Sequence, residues 1–252
     1  MLTFKLTKMD TDGLGAAPNA AEYHGRGWCF CESSVSDLMK GSGAVLDLGK
    51  LRAGTPASVR AGERRLEQLC REASSEQNVP LLPARFREAL ASKAFADRAD
   101  DEVIVAGLYE DTFMELMGAA TDLSYHGLWW GDAEVSQLCE VLESGVLSSL
   151  TVLDLTDNKI SDAGVAALAS AVASGAMPRL EAVLLEENPC DLSESSPVAS
   201  ALAGHAGARQ AKRERIAAEI GLDIERISAV IGMDIADLTD EEAAKLVAEL
   251  AA

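Results

Sequence analysis

The sequence predicts an α/β protein: a short stack of strand–helix repeats with a helical region on either side. Three observations predict it. The stretch LTVLDLTDNKISDAGVAAL (150–168) alternates leucines with polar residues, ends that alternation at a lone Asn158, and passes at once into small residues at helical spacing. Related stretches lie 30 residues to either side of it. Aromatic residues make up only 4% of the chain, so the core is built from Leu, Val, Ile and Ala, which suits regular helical packing better than a β-sandwich.

The repeat is gapless. LSYHGLWWGDAEVSQLCEVLESGVLSSL (123–150) lies over LDLTDNKISDAGVAALASAVASGAMPRL (153–180), with Leu123 on Leu153, Asp132 on Asp162, Val135 on Val165, Leu138 on Leu168 and Leu150 on Leu180. A weaker third copy places Val183, Leu185 and Asn188 on Leu153, Leu155 and Asn158, with Val198 and Leu202 in its helix. Self-similarity at a fixed period over three copies is the signature of a solenoid. The leucines then point into a narrow core, and Val165, Leu168, Ala169 and Val172 form the inward helix face. The Asn158 amide is expected to be buried, bonding backbone groups of adjacent turns.

LTVLDLTDNKI follows the pattern L-x-x-L-x-L-x-x-N-x-[LI] at every fixed position, and so resembles the leucine-rich repeat family, in particular its long, ribonuclease-inhibitor-like type. The resemblance spans residues 120–205. Leu128 stands where the first copy should carry Asn, so that copy resembles a capping repeat. The third copy has Pro189 and SESS where the second starts its helix. Three repeats are near the minimum for such an array, so the flanks must cover its ends.

Leucine-rich repeats generally bind proteins on their concave surface. Here that surface carries Ser124, His126, Val152, Asp154, Thr156, Ala182, Leu184 and Glu186, a mildly acidic set without a nucleophile–base pair. The resemblance therefore implies a non-catalytic protein–protein interaction module, a cytosolic adaptor or regulatory component, with a protein partner and no cofactor or metal. Trp130 falls on Ile160, a core position. Trp129 falls on Lys159 and should face solvent, which makes it a candidate anchor beside His126 and Asp154. A structural subunit of a larger assembly is the alternative.

The flanks divide the chain into an α-rich region (1–119), the repeats (120–205) and a helical cap or docking unit (206–252). Residues 22–40 read as a helix with Trp28, Cys31, Val35, Leu38 and Met39 inward. Its spacing Tyr23-x-x-Arg26-x-Trp28-Cys29-x-x-Glu32 resembles a helix of TIR-type domains, whose glutamate contacts the ribose of NAD during glycosidic cleavage. The resemblance implies Glu32 as the catalytic residue of an NAD hydrolase, with Trp28 and Cys29 structural. Arg26 replaces the family's serine, however, only 22 residues precede the segment, too few for the strand–helix–strand of a TIR nucleotide pocket, and no strand with the family's later pattern follows, so no NAD cleavage is expected. The Tyr-x-x-Arg-Gly-Trp segment followed by repeats is also similar to proteins of dinoflagellates and other microalgae, which lends no activity.

Residues 49–57 read as a loop. Residues 58–75 read as a helix with Val59, Leu66, Leu69 and Cys70 apolar, and Pro83 sits where a helix should start. Residues 100–120 form a helix with an acidic N-terminus, suited to the helix dipole, and with Val103, Leu108, Phe113 and Leu116 inward. Beyond Gly204 three short helices split at Gly221 and Gly232, Thr239 and Glu242 make a capping box, and Ile216, Ile220, Ile224, Ile227, Ile231, Leu246 and Leu250 form a small core.

Composition narrows the function classes. A net charge of −19 repels phosphate backbones and anionic lipid, so nucleic-acid and membrane partners are disfavoured. Arg209, Lys212, Arg213 and Arg215 read as a solvated helix face. Cys29, Cys31, Cys70, Cys139 and Cys190 give neither a disulfide framework nor zinc spacing, which points to a reducing, cytoplasmic setting. MDTDGLG (9–15) fails as a calcium loop because Ala21 stands where a bidentate Glu is required. KGSGAVLDLG (40–49) lacks the lysine and spacing of a phosphate loop. Both read as turns.

Overall fold

A computed structural model describes residues 3–5, 23–38, 45–47, 77–191, 196–220, 223–231, 234–238 and 240–250. Strand β1 (Thr3–Lys5), helix α1 (Gly27–Asp37) and strand β2 (Val45–Asp47) come first. Helices α2 (Pro83–Leu90) and α3 (Arg98–Ala119) follow. Then come β3 (Asp122–Ser124), α4 (Asp132–Leu142), β4 (Val152–Asp154), α5 (Asp162–Ala173), β5 (Ala182–Leu184) and α6 (Pro197–Ile220). Helices α7 (Ile224–Ile231) and α8 (Asp240–Leu250) end the described chain.

Strands β3, β4 and β5 form a parallel sheet in sequence order, with Leu123 opposite Leu153 and Leu153 opposite Val183. Each strand is followed by a helix, and α4, α5 and α6 pack side by side. Leu123, Leu153, Leu138, Leu168, Val135 and Val165 are all buried between the two layers. The 30-residue period is therefore a spatial register. It extends past the strands: Gly127 N–H donates to Thr156 O at 3.0 Å and Asp157 N–H to Glu186 O at 2.9 Å. Gly127, Asp157 and Glu187, one period apart, share a left-handed backbone with φ of 67°, 54° and 60°.

Asn158 is 1% exposed. Its Oδ1 accepts from the N–H groups of Leu128 (3.1 Å) and Trp130 (2.9 Å), and its Nδ2 donates to the carbonyls of Tyr125 and Leu155, both at 2.9 Å. One side chain thus satisfies backbone in its own turn and in the preceding one. Asn188 repeats the arrangement, accepting from Ile160 N–H (2.9 Å) and donating to Leu155 and Leu185 carbonyls. A second ladder runs at the helix starts. Asp132 accepts from the Ser161 and Gly164 N–H groups and the Ser161 hydroxyl, and these bonds hold its carboxyl below its ordinary pKa. The approach explains a glycine inside a helix: a Cβ on Gly164 would lie 2.5 Å from Asp132 Oδ1.

The N-terminal region closes the first end of the stack. Tyr125 and Trp130 occupy positions that later repeats give to Leu155 and Ile160, and both reach beyond their own repeat. Tyr125 Oη donates to Leu38 O (2.9 Å), and Trp130 Nε1 donates to Gln77 O (3.1 Å). Tyr109 on α3 donates to Leu81 O at 2.7 Å, its ring stacked on Phe86 at 3.8 Å between centroids. One continuous core runs from Cys31 through the repeats to Val198.

Several expectations are corrected. Trp28 points outward, 40% exposed, because Gly27 is the buried residue: a Cβ there would fall 1.9 Å from the Phe95 ring. The helix phase is thereby set by Gly27, Cys31 and Leu38. On α3, Val103 (72% exposed) and Leu108 face solvent, whereas Val105, Tyr109, Phe113 and Met117 are buried. That helix is apolar on both sides, so spacing alone does not fix its phase. Residues 45–47, read as part of a turn, pair with β1 in parallel, so strands do stand on either side of α1. The small helical core is present, with Ile216, Ile220 and Ile227 buried beside Ile235 and Ala243. Its first helix is not separate, since α6 runs unbroken through the expected boundary at 205/206. Nor is the basic face of α6 simply solvated. Arg213 pairs with Asp234, and Lys212 donates to Leu238 O. The readings at 9–15, 49–57 and 58–75, and those of Met39, Cys70 and Thr239, lie outside the described residues.

Because Asn158 makes bonds in two turns, Asn158→Ala is expected to cost about 1–3 kcal/mol, read as a melting temperature several degrees lower. Asn188→Ala, at the less buried end of the same ladder, should cost less. Equal effects, or an unchanged melt for Asn158→Ala, would contradict the ladder.

Candidate functional site

The outer face of the three-strand sheet presents alternate strand positions to solvent. Ser124, His126 and Glu186 are exposed, while Val152, Asp154, Thr156, Ala182 and Leu184 are half-buried. Short strands at fixed register bring side chains from successive repeats together. Ser124 Oγ donates to Asp154 Oδ2 at 3.1 Å, and Thr156 Oγ1 to Glu186 at 3.4 Å. Thr156 N–H donates to Asp154 Oδ1 at 3.0 Å. Burial pushes the Asp154 carboxyl up, but the Thr156 and Ser124 bonds and the His126 charge outweigh it and leave the group below its ordinary pKa. The face is thus a pre-positioned acidic row.

Trp129 stands apart from that row. It is 75% exposed, at the turn between β3 and α4, and its backbone is left-handed with φ of 62°. Bulky residues avoid this region, which costs about 1–2 kcal/mol. Lys159, one period later, sets its ammonium 4.6 Å from the ring centroid. Trp129 and Leu128 form one wall of a cleft of about 710 Å³, whose other walls come from α1, residues 77–81, Lys93, Tyr109 and α4. Its polar lining includes Asp37, Gln77, Asn78, Lys93, Glu134 and Gln137. Sequence reasoning missed these residues; they come from distant segments, and no spacing connects them.

Glu32 is exposed on α1 and is not part of that lining. Cys29, Cys31, Cys139 and Cys190 are free thiols, and burial pushes each above its ordinary pKa, Cys31 and Cys139 to about 11, the reverse of an activated nucleophile. Among the described residues no three His, Cys, Asp or Glu side chains gather as a metal ion would need. Nor, among them, is any helix long and apolar enough to cross a membrane.

Residues 146–169 match a family model described as a leucine-rich repeat, which supports a leucine-rich repeat protein and suggests a protein–protein interaction module. The matched stretch takes in β4, Asn158 and most of α5. A search of curated proteins finds no match.

Trp129 and Trp130 should respond oppositely to substitution. Trp129→Gly relieves the left-handed strain, while losing an exposed cation–π contact of about 0.5–1 kcal/mol and adding unfolded-chain freedom of similar size. The melting temperature is expected to move by no more than about 3 °C. Trp130, 3% exposed and bonded to Gln77, should cost about 3–5 kcal/mol as Trp130→Ala. Thermal unfolding of the two variants checks both.

Proposed function

We propose that this chain is a non-catalytic protein–protein interaction module, an adaptor or regulatory component, built on a short leucine-rich-repeat solenoid. The N-terminal region (1–119) closes one end of the repeats, and the small core formed by the end of α6 with α7 and α8 serves as a C-terminal cap. The observation that carries the reading is the acidic row on the outer sheet face, where Ser124 bonds to Asp154 and Thr156 to Glu186, each pair one 30-residue period apart. Hydrogen bonds that hold carboxylates in place before binding lower the ordering cost of an interface.

The contact surface consists of Ser124, His126, Val152, Asp154, Thr156, Leu184 and Glu186, with Trp129 at its N-terminal margin. Its sign favours a partner with a basic patch, and a chain of net charge −19 steers such a partner toward it. No catalytic role follows from these residues. The alternative of NAD hydrolysis through Glu32 gains one supporting feature, the parallel β1–α1–β2 order around it. Glu32 is exposed and lies outside the cleft, which favours the interaction reading.

Affinity capture from native lysate followed by mass spectrometry identifies the partner. Asp154→Lys, in a row already packed with partners, should then weaken binding about tenfold or more, with the loss growing at low salt. Unchanged affinity for both Asp154→Lys and Glu186→Lys would overturn the sheet face as the contact surface. Co-purification only as a fixed-stoichiometry component of a large assembly would favour a structural subunit. Nicotinamide release from NAD that stops on Glu32→Ala would establish the hydrolase instead.

A further inference from the structure

We infer that the cleft behind Trp129 is a binding site for an extended peptide carrying an arginine or lysine side chain. The cleft would be a subsite of the interaction role proposed above and rests on that reading.

Trp129 is the first observation. A left-handed conformation and 75% exposure of the largest side chain type are each unfavourable, and burial offsets neither. Strain of this kind persists where the surroundings impose it, and it collects at ligand clamps. Here the surroundings are explicit. The N–H groups of Leu128 and Trp130, on either side of Trp129, both donate to Asn158 Oδ1, which turns the backbone between them and fixes the indole at the cleft mouth.

Cation preference is the second. Aromatic faces at the cleft already hold ammonium groups of this chain: Lys159 lies 4.6 Å from the Trp129 centroid and Lys93 4.4 Å from that of Phe30. Two carboxylates share the lining with one ammonium, that of Lys93. Asp37 is 1% exposed and accepts from Asn78 N–H and Nδ2, and Glu134 accepts from Gly131 N–H. A cation entering between Trp129 and these carboxylates meets ring faces and negative charge together, which strengthens cation–π attraction as water is excluded.

The amides are the third. Gln77, Asn78 and Gln137 line the cleft; one N–H of Gln77 and one of Asn78 are engaged by Asp37, and the amide oxygens with Gln137 are of the type that pairs with the main chain of an extended peptide. A volume of about 710 Å³ exceeds what one side chain needs and lies within the range of ligand sites. An anionic ligand would meet Lys93, but also Asp37, Glu134 and a strongly acidic chain.

The test uses the full chain and four pools of fluorescein-labelled pentapeptides, random except for a central Arg, Lys, Gln or Glu, read by fluorescence anisotropy. The Arg and Lys pools should bind about tenfold tighter than the Gln and Glu pools. Trp129→Gly, which the backbone favours, and Glu134→Gln, which keeps the acceptor for Gly131, should each weaken the Arg pool about fivefold or more. Asp111→Asn, an exposed carboxylate on α3, should leave it unchanged. Equal binding of all pools, no binding, or an Arg-pool affinity untouched by Trp129→Gly would overturn the proposal. A captured partner sensitive to Asp154→Lys but not to Trp129→Gly would also overturn the cleft while leaving the sheet-face reading intact.

Discussion

Each strand-to-helix turn in the repeats leaves backbone N–H and carbonyl groups directed along the stack, into a region closed to water. An unpaired group there costs about 1–3 kcal/mol, and a turn exposes several. Asn158 resolves this because an amide can accept and donate at once. Its oxygen takes two N–H groups of the turn before it, while its nitrogen bridges carbonyls of both turns. A carboxylate could accept but not donate, and an aliphatic side chain could do neither. Asp132 meets the acceptor-only case one step further on, where N–H groups at the start of α5 need partners. The register of the sheet, the left-handed turn residues and Gly164 all follow from letting these two side chains reach across.

The same requirement explains how the stack begins. Among the described residues no earlier turn of the stack precedes the first repeat, and Leu128 stands where the later repeats carry Asn158 and Asn188. Tyr125 and Trp130 replace aliphatic residues and carry a polar atom at the end of a long ring, enough to reach the Leu38 and Gln77 carbonyls. Every Phe, Tyr and Trp of the chain lies before Gly131, at or ahead of this junction. An aromatic-poor composition thus hides a local concentration, in which Phe30, Phe86 and Tyr109 stack in succession behind the first repeat and Phe113 lies tilted beside Tyr109.

The repeats were legible because a gapless period constrains every position at once: Leu123, Leu153, Asn158 and Asn188 are each identified by their counterparts. No such check exists in the flanks. Helix α3 carries Val103, Ile104, Leu108 and Met114 on its outer side and Val105, Tyr109, Phe113 and Met117 on its inner side. Apolar spacing therefore fits two opposite phases, and the sequence offers no means to choose. For α1 the deciding residue is Gly27, whose missing side chain makes room for Phe95, a contact that hydropathy does not register. Strands β1 and β2 are three residues each, too short for alternation to declare them. The acidic row could be placed from strand alternation. The cleft could not, because Asp37, Gln77 and Glu134 meet only after the N-terminal helices have folded over the first repeat.

Cap and cleft share one origin. Replacing Asn by Leu128 ends the ladder and exposes the next side chain, Trp129, on a backbone that Asn158 still holds from the other side. Trp130 is drawn inward to Gln77, so the two adjacent indoles diverge, one into the core and one into solvent. The segment that Trp130 anchors, 77–81, forms the opposite wall, and α1, held by Tyr125 through Leu38, contributes another. Neither wall could be placed without the bonds that close the stack, and closing the stack with these bonds leaves a space walled by an outward ring, two carboxylates and three amides. A first repeat that kept Asn at position 128 and aliphatic residues at positions 125 and 130 would lose the two bonds to Leu38 and Gln77 that fix these walls beside it.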